Sequence, residues 1–326
     1  MSHPYAELSP DRVLDAIDAQ GFLTDGHMLA LNSYENRVFQ IGLEDGGFLV
    51  AKFYRPDRWS DAAILEEHAF SLALAADEIP VVAPLANEAG ETLHRHEGFR
   101  LALFPRQGGR WPDLEDPDRL EWVGRFLGRI HQLGAARPFA HRPTTDPLVL
   151  GREPAAWLAD SPILPPEYRD RYRTLSDALI SRCEAIFAEV RPSSLRLHGD
   201  CHPGNILWTD DGPHFVDMDD CRMGPAIQDL WMLLSGERAD MAWQMDAVLE
   251  GYRTFRDFDP RELALIEPLR ALRLIHYGVW LARRWDDPAF PQAFPWFGTR
   301  DYWEDQLNTF EQQLDVLDQP PLQLFG

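Results

Sequence analysis

The alternation of apolar and polar residues predicts that the N-terminal third of the chain is mostly β-sheet. Strand-like runs lie at 37–43 and 48–54, and Asp45–Gly47 between them is typical of a hairpin turn. A third strand is expected at 99–104, after a helix whose apolar residues recur at helical spacing over 61–76. This part of the chain is therefore predicted to be a sheet with one important helix.

The rest of the chain has the periodicity of α-helices. Amphipathic helical patterns cover 120–133, 166–190, 240–256 and 260–285. Near the N-terminus, Ser9 and Pro10 are typical of the cap and first turn of one more helix. The Gly-rich segment at 105–109 is the natural boundary between the sheet region and the helical region. We therefore predict an α+β protein with one domain at 1–104 and a larger, helical one at 105–326.

Composition and charge exclude some classes of partner. The 326 residues carry a formal net charge of −22, which argues against a protein that grips nucleic acid or anionic lipid through its overall field. Three cysteines give no disulfide framework and fit a reducing compartment. The sequence shows neither a signal peptide nor an apolar run long enough to span a membrane. A cytoplasmic protein is expected.

The most informative motif is an Asp followed five residues later by an Asn. The segment His198–Asn205 (HGDCHPGN) contains Asp200, and a short apolar run then ends at Asp217. Phosphoryl transfer on a kinase fold needs such a triplet, because one Asp accepts the proton of the attacking hydroxyl while the Asn and the second Asp hold Mg²⁺ on ATP. We predict that Asp200 is the proton acceptor and that Asn205 and Asp217 bind the metal.

Neighbouring side chains allow other interpretations. His198 is expected to pack under the loop and hold its backbone. A zinc site that uses His198, Cys201 and His202 is disfavoured, since no second Cys/His pair completes four ligands. A Cys201 nucleophile would need an orienting base that the sequence does not indicate. Asp219 is either a second carboxylate at the metal or a local cap.

The chain contains a single lysine. Of 31 basic residues only Lys52 is not Arg, and it lies in a strand-like run. Arg cannot replace Lys at a compact phosphate site, and a kinase uses such a lysine to contact phosphates and pair with a helix Glu. Glu67 is the predicted partner because Phe70 and Leu74 share its helix face; Glu66 is the competitor.

Two further polar positions carry predictions. The loop 31–36 lacks a GxGxxG pattern, but Ser33 and Asn36 offer hydroxyl and amide groups that suit phosphate. Asp229 opens a helix after the metal Asp. It either accepts backbone N–H groups of the catalytic loop or is a simple carboxylate at a helix N-terminus.

Together these residues resemble the aminoglycoside phosphotransferase and choline kinase branch of the protein kinase-like fold. Longer strings resemble a bacterial Ser/Thr protein kinase of that branch: LNSYENRV (31–38), KFYRPDRW (52–59), GPAIQDLWMLL (224–234) and IEPLR (266–270). The resemblance implies a bilobal fold, with a small antiparallel-sheet N-lobe containing one key helix and a larger, mostly helical C-lobe. It also implies that Ser33 is an ATP-site residue.

The resemblance further implies a function. It indicates an ATP- and Mg²⁺-dependent Ser/Thr protein kinase that acts on proteins, including itself, in a bacterial stress response, and that is monomeric. A small-molecule kinase for an amino alcohol, sugar or aminoglycoside hydroxyl would have the same catalytic core. A non-catalytic nucleotide-binding scaffold is disfavoured, because Lys52, Asp200, Asn205 and Asp217 are all present.

Overall fold

The computed structural model describes residues 4–325 and has an α+β architecture. Its strands are β1 (Thr24–Ala30), β2 (Arg37–Leu43), β3 (Phe48–Phe53), β4 (His94–His96), β5 (Phe99–Pro105), β6 (Leu195–Leu197), β7 (Ile206–Thr209), β8 (Gly212–Phe215) and β9 (Arg222–Gly224). Its α-helices are α1 (Pro10–Asp18), α2 (Asp61–Ala76), α3 (Pro117–Gly134), α4 (Glu153–Asp160), α5 (Arg169–Val190), α6 (Ile227–Trp231), α7 (Arg238–Tyr252), α8 (Ile266–Arg283), α9 (Ala289–Ala293) and α10 (Arg300–Leu317).

The chain forms two compact units that are not consecutive in sequence. The first unit contains the described residues up to Pro112 together with Phe139–Arg142 and Gly204–Asp220, and the second contains the remainder. The sequence instead predicts a single division between 104 and 105. The difference arises because the 204–220 segment is bound to the N-terminal part by backbone hydrogen bonds.

Those bonds are formed by the hairpin of β7 and β8. The Val82 N–H donates to the Phe215 carbonyl at 3.0 Å, and the Phe215 N–H donates to the Pro80 carbonyl at 2.7 Å. Arg110 and Trp208 exchange both backbone bonds, at 3.0 and 2.7 Å. The segment with Asn205 and Asp217 therefore belongs to the first unit.

The first unit is built on a five-stranded antiparallel sheet in the order β1-β2-β3-β5-β4. Side chains alternate between the two faces of a strand. On β3, Leu49, Ala51 and Phe53 join the buried cluster that includes residues of α1. Lys52 is consequently directed to the opposite face. The strand register thus decides which face of the sheet receives the only lysine.

The helix α2 begins where the sequence predicts. The Ser60 side chain accepts the Ala63 N–H at 3.2 Å, which satisfies a donor of the first turn. Phe70 and Leu74 are fully buried on the inner side of the helix, and the Phe70 ring meets Phe139 edge-on at 5.5 Å. Because Glu67 lies one turn before Phe70 and two turns before Leu74, the same packing buries its carboxylate.

The second unit is mostly helical. Helices α3 and α7 are in backbone contact, since a Cβ at Gly124 would lie 2.0 Å from the Val248 carbonyl oxygen and one at Gly251 would lie 1.9 Å from that of Glu121. The helix expected at 260–285 is divided, with a 3₁₀ turn over Pro260–Leu265 followed by α8. Among residues 4–325 no helix has the length and apolar character needed to span a membrane.

Candidate active site

A pocket of about 340 Å³ lies in the first unit. Its volume is at the lower end of the range of small-molecule sites, roughly 300–1,000 Å³. The apolar part of its wall includes Val38, Val50, Phe104, Leu207 and Met218. Six residues predicted from the sequence also line it: Ser33, Asn36, Lys52, Glu67, Asn205 and Asp217. The other three, His198, Asp200 and Asp229, belong to the second unit.

Lys52 is surrounded by carboxylates. Its Nζ lies 3.4 Å from Glu67 Oε1, 3.3 Å from Asp217 Oδ1 and 3.1 Å from Asp219 Oδ1. Burial would lower the pKa of Lys52, but the negative charges of Asp219, Glu67 and Asp217 raise it well above its usual value. The side chain is therefore an ammonium group, the form that binds phosphate.

The structure places Glu67, and not Glu66, beside Lys52. The second oxygen of Glu67 accepts from Arg142 Nη2 at 2.7 Å, so the carboxylate bridges two buried cations. Glu66 instead accepts the backbone N–H groups of Ala140 and His141, at 2.7 and 2.8 Å. Glu67 lies on the helix face that carries Phe70 and Leu74 and therefore meets Lys52, whereas Glu66 is directed elsewhere.

Asn205 and Asp217 offer oxygen ligands at one side of the pocket. The backbone of Asp217 has a φ of +59°, a left-handed conformation that Asp tolerates better than most residues, and its side chain is 57% exposed. The Asn205 carbonyl accepts the Val216 N–H at 3.0 Å, which fixes the two ligand segments to each other. One carboxylate and one amide oxygen suit Mg²⁺, which completes its shell with water and phosphate oxygens.

Asp219 has a role that neither sequence-based alternative anticipated. It is buried, and its Oδ2 accepts from Arg58 and, at 3.1 Å, from Asn36 Nδ2. Burial alone would raise the pKa of Asp219, but Arg58 and Lys52 lower it to about 2. Asp219 is therefore the ionised counter-ion of two buried cations.

Asn36, which the sequence predicts to contact the nucleotide, lines the pocket, and its side chain also forms hydrogen bonds within the protein. Its Nδ2 donates to Asp219, and its Oδ1 accepts the Arg55 N–H at 3.1 Å. The Ser33 hydroxyl donates to the Asn36 carbonyl at 3.1 Å and remains half-buried at the pocket wall. Asn36 thus connects the loop 31–36 to the segment that carries Asp217.

In the second unit, Asp229 holds the backbone that precedes Asp200. Its carboxylate accepts the N–H groups of His198 and Gly199, both at 2.8 Å, and contacts His131 Nε2 at 3.0 Å. Burial would raise the pKa of Asp229, but the hydrogen bonds from His131 and from the Gly199 backbone lower it. A φ of +87° at Gly199 turns the chain so that both N–H groups reach one carboxylate.

Asp200 is held by groups from two directions. Its Oδ1 accepts from Arg273 Nη1 at 2.8 Å, and His202 Nε2 lies 3.6 Å from its Oδ2. The Asp200 N–H donates to Nδ1 of the fully buried His198 at 3.4 Å. Arg273 of helix α8 is therefore a charged partner of the Asp200 carboxylate.

Sequence reasoning missed three arginines that pair with candidate residues, two in the first unit and one in the second. Arg58 pairs with Asp219, Arg142 pairs with Glu67 and also donates to the Ala63 carbonyl at 2.8 Å, and Arg273 pairs with Asp200. Arg58 lies within the KFYRPDRW string (52–59). No general rule of local structure requires that string, and this could have indicated a functional role for Arg58. Arg142 and Arg273 contact residues that are distant in sequence. A single sequence contains no local pattern that predicts such contacts.

Two bacterial kinases are similar to this chain over nearly its whole length. It is 49% identical over 320 residues to stress response kinase A of Escherichia coli strain K12, which covers 98% of this chain and 97% of that protein. It is 48% identical, over the same shares of the two chains, to serine/threonine protein kinase RdoA of Salmonella typhimurium strain LT2. These similarities confirm the resemblance that the sequence motifs indicate.

Solved structures confirm the predicted kinase-like α+β fold. Amicoumacin kinase hAmiN, in complex with AMP-PNP, Ca²⁺ and Ami, aligns with a TM-score of 0.71 at 18% identity, over 97% of this chain and 96% of that one. Choline kinase LicA from Streptococcus pneumoniae aligns with a TM-score of 0.64 at 13% identity, over 94% and 99%. The family model described as "Phosphotransferase enzyme family" matches residues 28–266. The chain belongs to the phosphotransferase enzyme family.

Proposed function

We propose that this enzyme is an ATP- and Mg²⁺-dependent Ser/Thr protein kinase that also phosphorylates itself. The observation that carries the proposal is the pocket in which the Lys52 ammonium group, Asn205 and Asp217 meet. The acceptor class is supported by the relative named as a serine/threonine protein kinase, which is 48% identical over 98% of this chain.

The nucleotide would be held by groups of different chemistry. The apolar wall that includes Val50 and Phe104 suits a base, and the Lys52 ammonium suits the α- and β-phosphates. Asn205 and Asp217 would hold Mg²⁺, which when bound neutralises phosphate charge. The half-buried Ser33 in the loop 31–36 would contribute at the same pocket.

Asp200 would act on the acceptor. As the acceptor oxygen bonds to the γ-phosphorus, the bond between that phosphorus and the β,γ-bridging oxygen breaks and ADP leaves. The Asp200 carboxylate takes the hydroxyl proton, so charge does not accumulate on the acceptor oxygen. Its hydrogen-bonded position, held by His198 and Arg273, suits a base that must present one oxygen in a fixed direction.

The biological setting is proposed from the relatives. A relative named stress response kinase A, 49% identical, supports a role in a bacterial stress response. We propose that the enzyme acts as a monomer in the cytoplasm, on proteins rather than on nucleic acid or membrane. Its net charge of −22 supports the last point, because such a field repels polyanions.

A small-molecule kinase is the second candidate. The observation that favours it is that solved structures of this fold include an amicoumacin kinase and a choline kinase. At 18% and 13% identity these structures indicate the fold and do not choose the acceptor. The acceptor must therefore be decided by experiment.

The test is incubation of the purified protein with γ-labelled ATP and Mg²⁺. The arms are the protein alone, the protein with a generic basic protein, and the protein with a panel of amino alcohols, sugars and aminoglycosides. We expect label on Ser and Thr of the enzyme and of the added protein. Asp200→Ala should reduce transfer by roughly 10²–10⁴-fold while ATP binding persists. Label confined to a small hydroxyl compound would replace the first candidate by the second.

A further inference from the structure

The loop that carries the proposed proton acceptor has no strong cation of its own. The segment His198–Asn205 contains no Lys or Arg. Within the second unit, Arg273 of α8 supplies one, with its Nη1 2.8 Å from Asp200 Oδ1. This contact joins residues 73 positions apart in sequence.

The position of Arg273 is fixed by the packing of α8. Leu269, Leu272 and Ile275 are almost completely buried on one side of this helix, which fixes its rotation about its axis. Arg273 lies at the edge of this buried side, one turn after Leu269, with 45% of its side chain exposed. Its guanidinium therefore extends from a rigid element toward Asp200, as an accurate site requires.

Arg273 differs from the other two arginines of the helix. Arg270 pairs with Glu267 on the same helix, at 3.2 Å, and Arg283 lies over the Trp157 ring at 5.1 Å. Neither of those contacts involves the catalytic loop. An exposed ion pair does little for stability, so the contact from Arg273 to Asp200 is better explained by the orientation that it imposes on the carboxylate.

We propose that Arg273 is a positioning residue for the phosphoryl transfer. The guanidinium is planar, always charged and rich in donors, so it holds one carboxylate oxygen in a defined direction. With Oδ1 held, Asp200 keeps the orientation in which it accepts the proton of the Ser or Thr hydroxyl. Arg273 supplies the cation that the loop lacks. This inference rests on the proposed function.

The test compares Arg273→Ala and Arg273→Lys with Arg283→Ala, a matched change on the same helix. We expect Arg273→Ala to lower kcat for protein phosphorylation on the order of 10²-fold, as a small misplacement of a catalytic group does. KM for ATP should stay within about twofold, because the nucleotide pocket is not involved. Arg273→Lys should recover part of the loss, and Arg283→Ala should match the wild type.

A chemical rescue separates positioning from a structural role. Guanidinium ion at millimolar concentration should raise kcat of Arg273→Ala, whereas urea should not, and neither should rescue Asp200→Ala. Absence of rescue, or a wild-type kcat for Arg273→Ala beside an inactive Asp200→Ala, would overturn the inference and leave the proposed function intact. A wild-type protein that transfers no phosphate to protein would instead reject the proposed function.

Two controls check that any loss of activity is not caused by misfolding: thermal unfolding of the variants, and Arg273→Gln, which keeps most of the side-chain volume. A wild-type kcat for Arg273→Gln also overturns the inference.

Discussion

Two buried carboxyl groups, one in each unit, have different electrostatic surroundings. In the first unit, Asp219 pairs with Arg58 and Lys52, and although burial acts against ionisation its pKa falls to about 2. In the second unit, Glu262 accepts the Ile227 N–H at 3.0 Å, and burial raises its pKa to about 7. Both residues are 2% exposed, so burial alone does not explain the difference.

The comparison shows that neighbouring cations outweigh the effect of burial on the pKa of Asp219, whereas burial prevails at Glu262. Because the pKa of Asp219 lies below its usual 3.8, its stabilising contribution is present above about pH 4 and is lost as the pH falls through about 2. Because the pKa of Glu262 lies above its usual 4.5, its contribution is present below about pH 4.5 and is lost as the pH rises through about 7. Asp219 and Glu262 thus make stability sensitive to opposite ends of the pH range.

The largest effect is expected for Asp219→Asn. The substitution keeps the size of the side chain but leaves Lys52 and Arg58 buried with one counter-ion fewer, which costs about 3–5 kcal/mol in comparable pairs. Urea unfolding at pH 7 should show the loss, and the gap to the wild type should narrow as the pH falls toward 2. A variant as stable as the wild type at pH 7 would show that the cluster does not need this charge.

The second effect has the opposite sign. Glu262→Gln keeps an acceptor for the Ile227 N–H but cannot ionise, so it should stabilise the protein by up to about 3 kcal/mol at pH 8. The gain should shrink progressively toward pH 5. The measurement is the free energy of unfolding of both proteins across this range. A gain that is independent of pH would mean that Glu262 does not titrate as inferred.

A third change tests Lys52, the cation that three carboxylates of the first unit contact. Lys52→Arg keeps the charge, but its wide planar group does not fit the space in which Nζ meets three carboxylates within 3.4 Å. We expect autophosphorylation to fall by roughly 10²-fold, nearly as far as in Lys52→Ala. ATP affinity, measured beside the rate, should weaken in both variants. Wild-type rates in Lys52→Arg would show that only charge matters at this position.

The sequence predicted the residues that lie in motifs. The HGDxHxxN segment, the lone lysine in a strand and the helix register of Glu67 each have a spacing that follows from the chemistry or from the helix period. The predicted helix 61–76 and strand 37–43 coincide with α2 and β2 because their periodicity agrees with their caps and turns. Local patterns of this kind predict the structure correctly where the residues of a single helix or strand determine it.

The remaining features depend on contacts between distant segments. Arg58 meets Asp219 across 161 positions, and Arg273 meets Asp200 across 73. The charge state of Glu262 depends on which groups surround it after folding, and the assignment of 204–220 to the first unit depends on hydrogen bonds to Pro80 and Val82. None of these contacts leaves a periodic or spaced signal in a single sequence, which is why sequence reasoning did not anticipate them.

The smallest effect on the free energy of unfolding is expected at Asp220. This residue allows burial to be compared with exposure between two neighbouring carboxylates that both pair with Arg58. Asp220 follows Asp219 directly and also accepts from Arg58, with Arg58 Nη2 2.9 Å from its Oδ1, but its side chain is 31% exposed. If contact with Arg58 set the energy, Asp220→Asn would resemble Asp219→Asn. Because water screens a partly exposed pair, we expect a loss of only about 0–1 kcal/mol that declines further in high salt. Urea unfolding of the two variants at low and high salt compares them directly. An equal loss in both would mean that proximity to Arg58, and not burial beside Lys52, makes the Asp219 charge indispensable.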